Sequence, residues 1–490
     1  MKPGEPLRLK YISPGPVADR FLLSESFVSG IRGPIGSGKS TACVMKLLGI
    51  AARQPVAPDG RRHSRFAIIR NTYPELKTTT IKTWHQWVPP GQIGQWQNEG
   101  PPTHHILTDE LAMEVMFVAL DRPEDVRKLL SMELTAAWIN EAREVPKAIL
   151  DGLTGRVGRF PPVRDGGCAG PQILMDTNSP DADHWWYLIA ERDTTTKKGA
   201  ELLQSILEAE VALRAEGALG ANQQLFEFFA QPSGLSPETE NIPNLPAGYY
   251  QRAMAGKTDE WIKVYVRGEY GFVMDGRPVF PEYRDSLHCK PFELNPRLEL
   301  IAGIDFGLTP AGAIGQRGIM GQWRWRYEIT TEHMGARRFG ELFNRFVNEK
   351  LPAWKFASIT GDPAGMAESQ ADESTPFAIL KAVGVKAQPA HTNDPTIRRE
   401  AMALPMTRII DGEPGLLVHP DCKMLRKGLA GGYHYKRVQV LGDERYRDQP
   451  DKNLYSHIVE AAEYGMLGAG EGKALVRPKR DVVRAKYATM

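Results

Sequence analysis

Three observations predict an α/β protein with two α/β domains. Before residue 231, short apolar runs alternate with helical patterns; Phe66–Ile69, Ala112–Val118 and Ile173–Met175 are examples. Runs of this kind suit parallel strands covered on both faces by crossover helices. A second strand set begins after 297, where Trp323, Trp325, Tyr327 and Ile329 alternate with Arg324, Arg326 and Glu328 in a period of two. Between them, residues 274–297 run from Met274-Asp275-Gly276 to Asn295-Pro296 and are punctuated like a domain boundary.

The 490 residues accommodate two to four domains of roughly 100–200 residues and exclude a single small binding module. Lys and Arg total 61 against 59 Asp and Glu, so the formal charge of +2 neither demands nor excludes a polyanionic partner. No apolar run is long enough for a membrane span, and Met1 to Tyr11 lacks the apolar core of a signal peptide. The four cysteines, Cys43, Cys168, Cys289 and Cys422, are widely spaced and form no C-x-x-C pair. A zinc cage or disulfide framework is therefore not expected, and the chain reads as a reduced, cytosolic protein. No repeat is visible. Residues 158–171 and 231–248 read as loop and connector, and 200–217 as helix.

The first chemical signal is Gly33-Pro34-Ile35-Gly36-Ser37-Gly38-Lys39-Ser40, a complete G-x-x-x-x-G-K-[ST]. Its glycines let backbone N–H groups curl around phosphate oxygens, its lysine reaches the outer phosphates, and its serine hydroxyl ligates Mg²⁺. Phe27–Ile31 suits the preceding strand, and Thr41–Ala51 the helix whose N-terminus faces the phosphates. Hydrolysis also needs strand-end carboxylates to hold Mg²⁺ and to activate water. Two runs offer them: Leu134–Ile139 enters Asn140-Glu141, and Ile173–Met175 enters Asp176-Thr177-Asn178-Ser179-Pro180. On the residues alone, Asp176 looks more like the Mg²⁺-side acid, and either run also suits a plain core strand with a polar tip.

A further set lies in the C-terminal half. Ile301–Asp305 and Phe356–Asp362 each read as a strand delivering a carboxylate at its end. Leu454–Leu467 is helical in pattern and puts His457, Glu460 and Tyr464 on one face. Two strand-end acids and one helical acid suit a pair of Mg²⁺ or Mn²⁺ ions for in-line phosphodiester cleavage.

Taken in order, these motifs resemble the large terminase subunit of tailed double-stranded DNA bacteriophages, a packaging ATPase and nuclease. Ser29–Ser40 resembles that family's phosphate loop, Arg127–Ser131 through Trp138–Ala142 its acidic strand, and Gly152–Arg159 with Met175–Pro180 its coupling region. Gly303–Gly307, Gly361–Pro363 and His457–Tyr464 resemble its nuclease. The resemblance implies a P-loop ATPase domain of ASCE-like parallel sheet over 1–235, a connector over 236–295, an RNase H-like nuclease over 296–470 and a basic tail over 471–490. It assigns Glu141 as catalytic acid, Asn140 to the Mg²⁺ shell, and Thr177 and Asn178 as sensor and coupler, which leaves Asp176 as the sensor's neighbour. Asp305, Asp362 and Glu460 become catalytic metal ligands, and Ser40 the Mg²⁺ ligand of the ATP site.

Three departures stand out: Ile35 where the family often has Arg, Asn140 for Asp, and Glu460 for the commoner Asp. Arg70, Arg127, Arg156 and Arg159 are candidates for an arginine given to a neighbouring subunit's ATP site. The implied cofactors are ATP and Mg²⁺, with Mn²⁺ possible in the nuclease. The implied partners are double-stranded DNA, a portal ring, a small terminase subunit and copies of the chain in a ring, expected to be a pentamer. The implied location is the host cytoplasm, transiently at the procapsid portal vertex and not in the mature virion. A helicase or repair ATPase with a fused nuclease is the alternative, and an ATP-gated scaffold is the non-enzymatic rival.

Overall fold

Parallel pairing dominates the first half of the chain. The computed structural model describes residues 10–472 apart from 121–122, 273–275, 308, 367–373 and 439–444, so the expected basic tail from Lys473 onward lies outside the described residues. Contacts divide the chain into Met1–Phe272 and Val273–Met490. In the first unit the strands are β1 (Val28–Arg32), β2 (Arg62–Arg70), β3 (Gln95–Gln97), β4 (Thr103–Leu107), β5 (Leu111–Ala119), β6 (Ala136–Asn140), β7 (Gln172–Thr177) and β8 (Phe226–Ala230). They form one sheet in the order β3-β4-β5-β2-β6-β7-β1-β8. All pairings from β5 to β8 are parallel, and β4 and β3 add an antiparallel edge.

Every residue of β6 and β7 is buried, which is why these runs are continuously apolar rather than alternating. On one face, Ala42, Cys43, Val44, Leu47 and Ile50 of helix α1 (Lys39–Ala52) meet Phe66, Ile68, Trp138 and Leu174. On the other, Ala67, Ile69, Ala137, Ile139, Ile173 and Met175 meet Ile149, Leu150 and Leu153 of α2 (Lys147–Thr154) and the Trp185–Trp186 pair. Each large side chain buried this way contributes ~1.5–3 kcal/mol. The helix expected over 200–217 is α3 (Lys197–Ala215).

In the second unit, β9 (Leu300–Asp305), β10 (Ala311–Arg317) and β11 (Trp323–Thr330) form an antiparallel meander. The sheet continues with β12 (Phe356–Gly361), β13 (Gln388–Pro389) and β14 (Leu416–Val418), in the order β13-β12-β9-β10-β11-β14. β12 runs parallel to β9, so the strand ends at Asp305 and Asp362 are neighbours, and the Asp362 N–H donates to the Ile304 carbonyl at 3.1 Å. Alternate residues of β9 face opposite layers. Leu300, Ala302 and Ile304 meet Phe339 and Phe343 of α4 (Ala336–Lys350). Ile301 faces the layer of α5 (Pro395–Thr407) and α6 (Leu454–Gly468), and Asp305 shares its parity. α6 is buried without a break from Ile458 to Leu467, with Asn453 capping its N-terminus.

Candidate active sites

β1 ends at the phosphate loop, which turns on Gly36 (φ 73°) and Gly38 (φ 84°), conformations that a Cβ would strain. The Lys39 ammonium is buried and donates to the carbonyls of Gly33 (3.1 Å) and Pro34 (2.7 Å). Burial lowers its pKa, opposed by Glu141 and then Asp176. Ser40 Oγ donates to Asp176 Oδ2 at 2.6 Å. Ser37 Oγ donates to Gln231 Oε1 at 2.6 Å.

β6 and β7 deliver the acids. Asn140 and Asp176 are register partners. Asp176 is fully buried, and its Oδ1 accepts from Trp138 Nε1 (2.7 Å) and Asn140 Nδ2 (2.9 Å). Asn140 Oδ1 accepts from Thr80 Oγ1 at 2.6 Å. The amide orientation follows, because a carbonyl turned toward the Asp176 carboxylate would be repelled. The carbonyl that sequence reasoning left to Asn140 for the Mg²⁺ shell thus already accepts one hydrogen bond, from Thr80.

Glu141 sits just beyond β6 in the left-handed region (φ 52°, ψ 59°). Its Oε2 accepts from the Asn178 N–H at 3.4 Å, while Asn178 Nδ2 donates to the Gly33 carbonyl at 2.8 Å. Asn178 therefore links the expected catalytic acid to the phosphate loop. Thr177 Oγ1 donates to the Asn178 carbonyl and accepts from the Arg143 N–H. Burial, with Asp176 nearby, pushes the Glu141 carboxyl up.

Sequence reasoning missed the loop's far wall. Gln231 Nε2 donates to the Ser37 carbonyl (2.9 Å), Asn241 Nδ2 to the Gly36 carbonyl (2.6 Å) and Tyr250 Oη to the Ile35 carbonyl (2.9 Å). The only sequence signal was the polar break at Gln231-Pro232-Ser233-Gly234 directly after a strand. Among the arginines, Arg70 is buried and paired with Glu144 (3.3 Å) and Glu75 (3.5 Å). Arg127 and Arg159 are exposed and Arg156 is half-buried.

In the second unit, Asp305 is buried and its Oδ2 lies 2.7 Å from His457 Nδ1. Burial raises the Asp305 pKa, and the His457 hydrogen bond opposes the rise. Asp362 accepts from the Ala364 N–H at 2.9 Å. Glu460 is buried; its Oε1 accepts from Tyr433 Oη (2.8 Å) and lies 3.8 Å from Arg398 Nη2, and its Oε2 is held by Lys452. Arg398 also pairs with Glu463 at 3.4 Å, and burial pushes the Glu463 carboxyl up to about 8.

Among the described residues, no group of three or more His, Cys, Asp and Glu is gathered closely enough to hold a metal ion. The expected Asp305–Asp362–Glu460 set is therefore not drawn together; Asp305 turns to His457, and Glu460 to Tyr433, Arg398 and Lys452. The chemistry of the donors still fits a hard cation. They are oxygen ligands, and the Lys452 ammonium already supplies positive charge against Glu460 and is felt by Asp305.

Fold and sites together define a phosphate-loop α/β unit followed by a second α/β unit with carboxylates at adjacent strand ends. No family model and no curated protein matches the chain. Solved structures of large terminases do resemble it. That of a thermophilic bacteriophage is 13% identical over 92% of this chain and 97% of its own, with a TM-score of 0.38. The large terminase of bacteriophage HK97 is 10% identical over 95% and 96%, with a TM-score of 0.37. The P22 large terminase nuclease domain is 13% identical over 41% and 95%, with a TM-score of 0.31. At these values the functional reading rests on the chain's own residues. Among the described residues, no helix is long and apolar enough to cross a membrane.

Proposed function

We propose that the chain is the large subunit of a viral DNA-packaging motor, an ATPase that translocates double-stranded DNA and carries a metal-dependent endonuclease. The observation that carries the reading is the phosphate loop with Lys39 buried in it, Ser40 bonded to a buried aspartate, and Glu141 joined to Gly33 through Asn178.

On this reading the Lys39 ammonium moves from the Gly33 and Pro34 carbonyls to the outer phosphate oxygens. Glu141 orients the attacking water. Asn178 bonds both Glu141 and Gly33, so loss of the γ-phosphate changes its surroundings and passes to the Thr177–Arg143 contact. Ser40 would help hold Mg²⁺ bound with the nucleotide, which would supply positive charge against the phosphates. A neighbouring subunit's arginine completes the site, and Arg127, Arg156 and Arg159 are better placed to give it than Arg70, which two glutamates hold within its own unit.

In the second unit, the meander β9-β10-β11 followed by parallel β12 beside β9 supports an RNase H-like reading. Asp305, Asp362 and Glu460 would hold Mg²⁺ or Mn²⁺, which supply Lewis-acid activation of a phosphodiester. DNA would be gripped through its backbone, since a motor must tolerate all sequences. A portal ring, a small terminase subunit and further copies of the chain would complete the motor in the host cytoplasm.

The test is supercoiled plasmid incubated with the full chain and Mg²⁺ or Mn²⁺, with and without ATP, scored for nicking and ATP turnover. Both activities are expected. ATP-driven strand separation, with or without nicking, would favour the helicase reading.

A further inference from the structure

The residue after a P-loop ATPase's second strand run normally supplies a carboxylate to the Mg²⁺ shell beside the loop serine. Here that position is Asn140, whose carbonyl accepts from Thr80 and whose amide faces Asp176. The carboxylate stands one strand over. β7 lies between β6 and β1, and Asp176 is in register with Asn140 on one side and with Ile31 of β1 on the other. It is therefore about 4.8 Å nearer the strand that launches the loop, and it receives the Ser40 hydroxyl directly at 2.6 Å.

From this geometry we infer that Asp176, not a residue of β6, is the acid that holds the ATP-site Mg²⁺ together with Ser40, and that Asn140 serves as its amide support. Trp138 and Asn140 fix the Asp176 carboxylate from behind, and Ser40 marks its metal-facing side. The carboxylate is fully buried, meets three side-chain donors and lies near the Lys39 ammonium, so its surroundings are built to face an anion. Asp176 thus keeps a carboxylate at the site although β6 ends in Asn140. The sequence Met175-Asp176-Thr177-Asn178 thus carries a metal-holding acid directly before the sensor pair.

The inference rests on reading the first unit as an ATPase, and the experiment separates the two. Binding of ATPγS to the full chain is measured by calorimetry in EDTA and across a Mg²⁺ titration, and Mn²⁺ uptake by the nucleotide-loaded chain by electron paramagnetic resonance. Wild type is expected to bind nucleotide more tightly with metal. Asp176→Asn is expected to keep its EDTA affinity within about threefold, while Mg²⁺ and Mn²⁺ affinity falls by more than the ~10–100-fold typical of groups that only support a metal's bound ligands. The Asn140→Asp/Asp176→Asn exchange is expected to recover little of that loss, because it puts the carboxylate on β6, one strand further from the loop. The unchanged EDTA affinity guards against a mere folding defect in the single variant. Unchanged metal affinity in Asp176→Asn, or full recovery in the exchange, overturns the inference. A wild-type chain that binds no nucleotide at all overturns the ATPase reading and this assignment with it.

Discussion

A methyl group added to Gly303 would lie 1.7 Å from the carbonyl oxygen of Ala461, so β9 and α6 are in backbone contact two residues before Asp305. That approach lets one helix present His457 to Asp305 while its other positions fill the core. Gly303→Ala should force α6 away and destabilise the unit by on the order of 3 kcal/mol, the upper range for overpacking. Nicking should fall with it while ATP turnover persists. Urea unfolding of the full chain followed by both assays checks this; unchanged unfolding would show that α6 accommodates the methyl.

Lys39→Ala should abolish ATP turnover and DNA translocation yet leave metal-dependent nicking intact, because Lys39 and Asp305 belong to separate units. Packaging that survives in this variant would remove the motor assignment.

Glu141→Gln should bind ATP and hydrolyse it ~10²–10⁴-fold more slowly, since an amide cannot polarise water as a carboxylate does. Asp176→Asn should be less impaired once Mg²⁺ is saturating, because its loss is in metal affinity. Single-turnover hydrolysis at rising Mg²⁺ separates them; a slower Asp176→Asn at saturation would place the catalytic acid on β7.

The phosphate loop was legible because its chemistry is contiguous, and the strands leading to Asn140, Asp176, Asp305 and Asp362 were legible because buried parallel strands are continuous apolar runs. What bonds what at the strand ends was not. Whether Asn140 or Asp176 faces Ser40 depends on sheet order and register, which leave no mark on either segment. Gln231, Asn241 and Tyr250 reach the loop from about 200 residues further along the chain, as their contacts with Ser37, Gly36 and Ile35 record. Arg398 left a faint trace: Glu460 and Glu463 both lie inside the apolar stretch Ile458–Leu467, and two buried acids call for a buried cation.

His184 gives a pH prediction. It caps the helix Trp185–Ala190, its Nδ1 accepting the Trp186 N–H at 3.1 Å, and burial lowers its pKa from 6.5 to about 4. The folded state therefore holds it neutral while the unfolded chain protonates it below 6.5. Its contribution to stability is complete above pH 6.5 and is lost as pH falls toward 4, by at most about 3 kcal/mol at 1.36 kcal/mol per unit. His184→Asn, which keeps a capping acceptor, should lose less stability between pH 7 and 4.5 than wild type. Thermal melts across that range check it; parallel curves would show that other groups set the acid limb.

The last prediction concerns the nuclease metals and Lys452. Glu460 is buried and the Lys452 side chain against it is 63% exposed. Metal must therefore compete with a solvated ammonium, whereas Tyr433 and Arg398 hold the same carboxylate from inside. Lys452→Met removes the competitor and keeps the apolar stem. The Mn²⁺ concentration for half-maximal plasmid nicking should fall about fivefold, the equivalent of the ~1 kcal/mol an exposed ion pair contributes. Asp305→Ala should cost more than the ~10–100-fold typical of groups that only support a ligand, with Asp362→Ala and Glu460→Ala close behind. Glu460→Asp should retain activity with a shift toward Mn²⁺, because Mg²⁺ demands near-ideal distances of ~2.0–2.1 Å. A higher metal requirement in Lys452→Met would mean that the ammonium holds the site or the DNA in place and does not compete with metal. Full activity in Glu460→Ala would move the third ligand elsewhere in the unit.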